Sequence, residues 1–212
     1  MSRLLDKGLE ELTTVLLRMG DVAEKTVRTA ITGLMKGKNF SGDVRELSEL
    51  LLTMTVGVED KAFEMIVRYQ PVASDLRIIN SYIKIAYDFE RFGRYSLDMS
   101  LTQQKFAYSE KCAYSWDLME KLAEKVTLMV RMSIEALRDN NGEVAKSLAK
   151  IENEVDDIYY EYLDKLSKAP LGTECIVCTA LVTKYFERIA DHATYVGEAI
   201  YYIATGQKIS LR

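Results

Sequence analysis

The sequence predicts an all-α protein built as two tandem antiparallel three-helix bundles, six long helices related by internal duplication. Three observations carry this. Only two Pro and 11 Gly stand among 212 residues, below the usual roughly 5% and 7%, so breaks are few and helices must be long. Apolar residues recur at steps of three and four over long stretches. Finally, Phe89-Glu90-Arg91 reappears as Phe186-Glu187-Arg188, 97 positions later. A period of that length is too long for a solenoid unit and indicates duplication of a whole bundle.

The first helix is read from Leu5, Leu9, Leu12, Leu16, Met19, Ala23, Val27, Ala30 and Leu34, one stripe kept from Leu4 to Leu34. The stretch 36–43 holds two Gly, an Asn and a Ser and is the expected first loop. A second helix follows from Val44 to Tyr69. Gln70-Pro71 breaks it, because the residue before a proline is pushed from helical angles, and Pro71 suits the first turn of a third helix reaching Lys105. The fourth helix is expected from Ser109 to Arg138, with a turn over 139–142, and the fifth from Glu143 to Lys168. A break around Pro170 precedes the sixth, which closes near Gly206 as a glycine C-cap. The two repeats are placed at residues 1–106 and 107–212.

The charge balance, 28 Lys+Arg against 32 Asp+Glu for a net −4, lacks the basic footprint of a nucleic-acid binder. A hydrophobic content of 48% is enough for a sizeable core. No apolar run reaches the roughly 18 residues that span a bilayer, and the opening segment is amphipathic instead of signal-like. A cytoplasmic protein without direct membrane insertion is expected. Three Cys, an odd number, make no disulfide framework and fit a reducing compartment. Cys175 and Cys178 have the spacing of a zinc or redox pair, but zinc needs about four ligands, so they read as core neighbours on one helix face.

The residues that could carry chemistry are carboxylates. Glu152 and Asp156 on the fifth helix, and Glu187 and Asp191 on the sixth, are each spaced i, i+4, so each pair points one way. Apolar neighbours such as Val155, Ile158, Phe186 and Ile189 place them beside the core stripe, where a charge needs compensation. Four carboxylates meeting between two helices would demand metal ions, protons or cationic side chains, and hard oxygen ligands favour Mg, Ca, Mn or Fe. The plainer reading is solvated acids pairing with Lys150 or Lys184. Shifted back by 97 positions, the four fall on Thr55, Glu59, Glu90 and Arg94, so the formal charge drops from −4 to −1. One metal-competent site and one degenerate site are therefore expected. In the degenerate site, an Arg94 guanidinium lying between Glu59 and Glu90 would replace the metal charge.

The same residues carry a family resemblance. Gln70-Pro71-Val72-Ala73-Ser74-Asp75-Leu76-Arg77 followed by Asp88-Phe89-Glu90-Arg91-Phe92-Gly93, and Tyr185-Phe186-Glu187-Arg188-Ile189-Ala190-Asp191-His192-Ala193, resemble the two repeat signatures of the PhoU family of phosphate-uptake regulators. The likeness covers nearly the whole chain. It implies two three-helix bundles with a multinuclear metal site on the bundle surface, iron first, with Mn, Mg or Zn as alternatives. It further implies a non-enzymatic cytoplasmic adaptor between a phosphate ABC transporter ATPase subunit and a sensor histidine kinase, held at the inner face of the membrane through the transporter. A homodimer is the expected assembly. Carried over, the metal residues are Glu152, Asp156, Glu187 and Asp191, while the first repeat keeps only Glu59 and Glu90 and departs at Thr55 and Arg94.

His192 reads either as a neighbour that joins the metal site or orients a carboxylate, or as a surface or interface histidine. Arg77, Arg91 and Arg188 either attract phosphate or pair with Asp75, Asp88 and the site carboxylates. The tyrosines at 159, 160, 162, 195, 201 and 202 suit an interface or the core of the second bundle. Two other functions compete with the adaptor: a metal-free helical scaffold regulating another transporter, and a di-iron bundle enzyme. The enzyme is disfavoured because such sites use Glu-x-x-His pairs, and the chain's one His has no Glu three residues before it.

Overall fold

The computed structural model describes residues 2–106, 112 and 116–211. Six helices follow in order: α1 Ser2–Lys36, α2 Ser41–Tyr69, α3 Ala73–Lys105, α4 Trp116–Asp139, α5 Val144–Ser167 and α6 Thr173–Thr205. The expected start of α4 at Ser109 lies outside the described residues. The predicted stripe of α1 is the buried one, with Leu12, Leu16, Met19, Ala23, Val27, Ala30 and Leu34 sealed from solvent.

The breaks have local causes. The first loop is shorter than expected because Asn39 Oδ1 accepts the Ser41 backbone N–H at 2.9 Å, an Asx turn that starts α2 three residues before Val44. Gln70 ends α2 in the left-handed conformation, with φ 45°, and its N–H donates to Ile66 O. Pro71 does not open α3: the helix is capped at Val72 and starts at Ala73, so the proline sits just ahead of the cap. Gly206 ends α6 at φ 74°, the left-handed cap expected of it.

α1, α2 and α3 pack as one antiparallel bundle and α4, α5 and α6 as the other. The bundles join most extensively through α3 and α6, with α1 against α4 beside them, while α2 and α5 flank the outside. The two central helices are therefore buried on more than one side. A small residue lets α2 approach α3: Gly93 on α3 faces α2 so closely that an added Cβ would stand 2.6 Å from Leu51 Cδ1.

The cysteine expectation is corrected. Cys112, in the connection between the bundles, forms a disulfide with Cys175 of α6, with Cα atoms 4.8 Å apart. An odd count excludes a full framework but not one bridge. Only Cys178 behaves as a core thiol, and burial pushes its pKa up to about 11. Thr179 Oγ1 donates to Cys112 O at 3.2 Å, tying the same connection to α6 a second time.

Candidate functional site

The α5–α6 face carries the four carboxylates singled out in the sequence. Three of them are taken from solvent by helix packing: Asp191 is 1% exposed, Glu152 5% and Glu187 9%. Asp156, one turn beyond Glu152, is half-buried. Ordinary solvated helix acids these are not. Burial of carboxylates beside Phe186 and Val155 requires cations, and α6 supplies two. Lys184 Nζ lies 2.7 Å from Glu187 Oε1. It also sits 5.1 Å from the Tyr159 ring centroid, so it bridges α6 to α5. Arg188 Nη1 lies 3.2 Å from Asp191 Oδ2.

The donor set is all-oxygen and suits a hard cation or iron. Glu187 Oε2 is buried without a hydrogen bond, with Arg188 Nε 3.7 Å away, so one carboxylate oxygen retains capacity for a further cation. The four side chains are nevertheless not drawn into one chelating group. Among the described residues no three His, Cys, Asp or Glu side chains gather closely enough to hold an ion.

The degenerate site departs from expectation at its cation. Arg94 does not lie between Glu59 and Glu90; its side chain is 55% exposed and its Nε lies 3.5 Å from Asp98 Oδ2, one turn along α3. An i, i+4 pair along one helix keeps the guanidinium in water, avoiding the desolvation that bridging two acids would impose. Glu90 is instead flanked by Arg91 Nε at 3.5 Å. Thr55, standing where Glu152 stands in the second repeat, is buried and donates to Leu51 O at 3.0 Å and Ala86 O at 3.3 Å.

The arginines sort differently from one another. Arg188 pairs with the site carboxylates as expected. Arg91 pairs with Glu90 and lies 4.6 Å from the Tyr87 ring centroid. Arg77 makes no ion pair among the described residues and lies 5.7 Å from the centroid of the Tyr202 ring.

His192 orients a carboxylate, but not the adjacent one. Its Nδ1 lies 2.8 Å from Oδ1 of Asp88 on α3, across the junction of the two bundles. Three tyrosine rings, Tyr87, Tyr95 and Tyr195, surround the imidazole with centroids 6.1, 5.6 and 5.3 Å away. Burial pushes the Asp88 carboxyl above its ordinary range, and His192 pulls it partly back. From the sequence Asp88 is read as part of the first-repeat signature and as a partner for arginine, not for His192. Its acidic position within the apolar face of α3, between Ile85 and Phe89, was the available signal.

Two fused three-helix bundles with an ion-paired carboxylate face define a duplicated helical scaffold. The PhoU domain model matches twice, at residues 16–101 and 119–200. The chain is 30% identical over 215 residues to the phosphate-specific transport system accessory protein PhoU homolog of Clostridium acetobutylicum, covering 99% of this chain and 98% of that one. It is 31% identical over 216 residues to the homolog of Rhizobium meliloti, covering 95% and 87%. The crystal structure of PhoU from Pseudomonas aeruginosa superposes with a TM-score of 0.90 at 25% identity, covering 95% of this chain and 99% of that one. That of the phosphate transport system regulatory protein PhoU from Streptococcus pneumoniae shares the fold, with a TM-score of 0.74 at 20% identity over 97% and 99%. The chain belongs to the PhoU family of phosphate transport system accessory proteins, a regulatory and non-enzymatic family. No helix of the described residues is long and apolar enough to cross a membrane.

Proposed function

We propose that this chain is the cytoplasmic adaptor through which a phosphate ABC transporter and a sensor histidine kinase are restrained when phosphate is plentiful. The observation that carries this reading is the match of both repeats, along nearly the whole chain, to the PhoU domain and to relatives named for phosphate-specific transport. The repeats are assigned to residues 1–106 and 107–212, and the working form is a homodimer. The ATPase subunit brings the chain to the inner face of the membrane.

An adaptor needs surface to spend on partners. Leu52, Val56, Phe63 and Val67 of α2 are exposed apolar residues that fall within about 60° of one another around the helix. These two exposed apolar pairs, with Glu59 and Asp60 between them, support protein docking.

On the opposite repeat, Glu152, Asp156, Glu187 and Asp191 would hold a multinuclear metal centre, iron first, with Mn, Mg or Zn as alternatives. A bound metal would supply fixed positive charge to that face. The Lys184–Glu187 and Arg188–Asp191 pairs favour a second reading, a scaffold whose acids are balanced by cationic side chains alone. Elemental analysis separates the two.

The adaptor reading is tested by capturing partners of the tagged full chain from native membranes. Transporter ATPase and kinase subunits are expected. Recovery of neither, together with unchanged phosphate uptake and starvation-gene expression in a strain lacking the chain, would overturn it.

A further inference from the structure

A cavity of about 500 Å3 opens between α2, α3 and α6, and the C-terminal tail beyond Gly206 lies over it through Lys208 and Ile209. Three carboxylates line it, Glu59, Asp88 and Glu198, against two ammonium groups, Lys84 and Lys208. Asp88 already spends one oxygen on His192, and Glu198 Oε1 accepts the Leu211 backbone N–H at 2.9 Å.

A second, independent feature points to a ligand. Ser81 lines the same cavity, is 1% exposed, and its Oγ has no hydrogen-bond partner. Helical serines that are shut from water normally bond back to a carbonyl of the preceding turn, as Ser96 and Ser100 do on this same helix at 2.7 and 3.0 Å. An orphaned buried hydroxyl is costly to leave unmade, and a bound molecule with an N–H at that depth would satisfy it.

The lining also selects the sign of the charge. Acids outnumber bases, and one of the two bases, Lys208, is on the terminal tail and makes no ion pair among the described residues. Its Nζ instead lies 5.8 Å from the centroid of the Tyr202 ring, which also lines the cavity. An aliphatic ammonium over a tyrosine face, flanked by carboxylates, is the chain's own sample of what the cavity accepts. Ile83 and Ala199 offer apolar wall for an alkyl stem.

From these observations we propose that the cavity between α2, α3 and α6 is a binding site for an aliphatic amine carrying ammonium groups, with Glu59 and Glu198 as counter-ions and Ser81 as the hydrogen-bond acceptor at its buried end. Lys208 shares the Tyr202 ring with Arg77, which lies 5.7 Å from its centroid, and it is the tail-borne Lys208 that the ligand displaces. Inorganic phosphate is the wrong charge for this site.

Isothermal titration of the purified full chain with putrescine is the test, with inorganic phosphate as the second titrant. Saturable one-to-one putrescine binding is expected. It should weaken about tenfold in Glu59→Gln plus Glu198→Gln, about threefold in Ser81→Ala, and not at all in the remote surface variant Glu120→Gln. Lys208→Ala should tighten it by about threefold, because a competing ammonium is removed. Absence of saturable binding below about 10 mM would overturn the proposal. So would equal loss in Glu120→Gln, weaker binding in Lys208→Ala, or displacement of putrescine by phosphate.

Discussion

His192 Nδ1 meets Asp88 Oδ1 at 2.8 Å across the α3–α6 junction, and the repeat makes this pair half of a broken symmetry. Shifted by 97 positions, Asp88 falls on Tyr185 and His192 falls on Tyr95. Those two rings stack on each other, with centroids 6.4 Å apart. One contact between the duplicated bundles is thus a buried acid and imidazole, and its counterpart is a pair of aromatic rings.

The polar half carries a pH signature. When Asp88 is ionised it only accepts, and His192 Nδ1–H is then the donor. Burial raises the folded pKa of Asp88 above its unfolded value. The stability it contributes is therefore fully present below the unfolded pKa and lost as pH rises through the raised folded pKa. Asp88→Asn keeps an acceptor of the same shape without the ionisation, and is predicted to match or exceed the wild type at neutral pH by about 1 kcal/mol, roughly 2–4 °C. Asp88→Leu strands the imidazole and should cost about 1–3 kcal/mol. Melts at about pH 5 and pH 8 check both, and a larger loss in Asp88→Asn than in Asp88→Leu would contradict the geometry.

The Cys112–Cys175 bridge spans 63 positions and joins the inter-bundle connection to α6. Constraining a loop of that length stabilises by up to about 4 kcal/mol in the chain-entropy model. Under non-reducing denaturation one thiol, Cys178, should react with maleimide, rising to three after reduction. The reduced protein is predicted to melt lower, and Cys112→Ser should show the lower value with or without reductant.

Gly93 tests the fit of α3 against α2. A methyl there would press within 2.6 Å of Leu51 Cδ1, with the Ser48 backbone 3.4 Å behind. Gly93→Ala is expected to lose about 1–3 kcal/mol despite its better helix propensity. Adding Leu51→Ala should recover part of that loss, as measured by urea midpoints.

The apolar stripe of α2 is predicted to act in binding and not in folding. Phe63→Glu with Val67→Glu changes exposed positions, so stability should move by no more than about 0.5 kcal/mol per site. Capture of transporter or kinase subunits should fall at least about tenfold. Unchanged capture would place the docking face elsewhere.

Local chemistry made much of the fold legible. The α1 stripe needs only helical periodicity, and Gly206 only the conformational freedom of glycine at a C-cap. The α5–α6 acids were legible because i, i+4 spacing fixes a shared face whatever the tertiary structure. Relationships decided by packing were not. His192 found a partner 104 positions away on α3, Cys175 found Cys112 instead of remaining beside Cys178, and Arg94 turned to Asp98 in its own helix. Each depends on how the bundles dock or on which of two acids keeps a guanidinium hydrated. Ser81 carried no signal, since an unpartnered hydroxyl exists only once its surroundings are built.

The proposal that the α5–α6 carboxylates hold a metal is tested most directly by elemental analysis of protein prepared in metal-replete, chelator-free conditions. Fe, or Mn, Mg or Zn, is predicted to copurify with the wild type and to fall sharply in Glu187→Ala plus Asp191→Ala. Metal-free wild type under the same preparation would contradict it and favour a face whose acids are balanced by side chains such as Lys184 and Arg188.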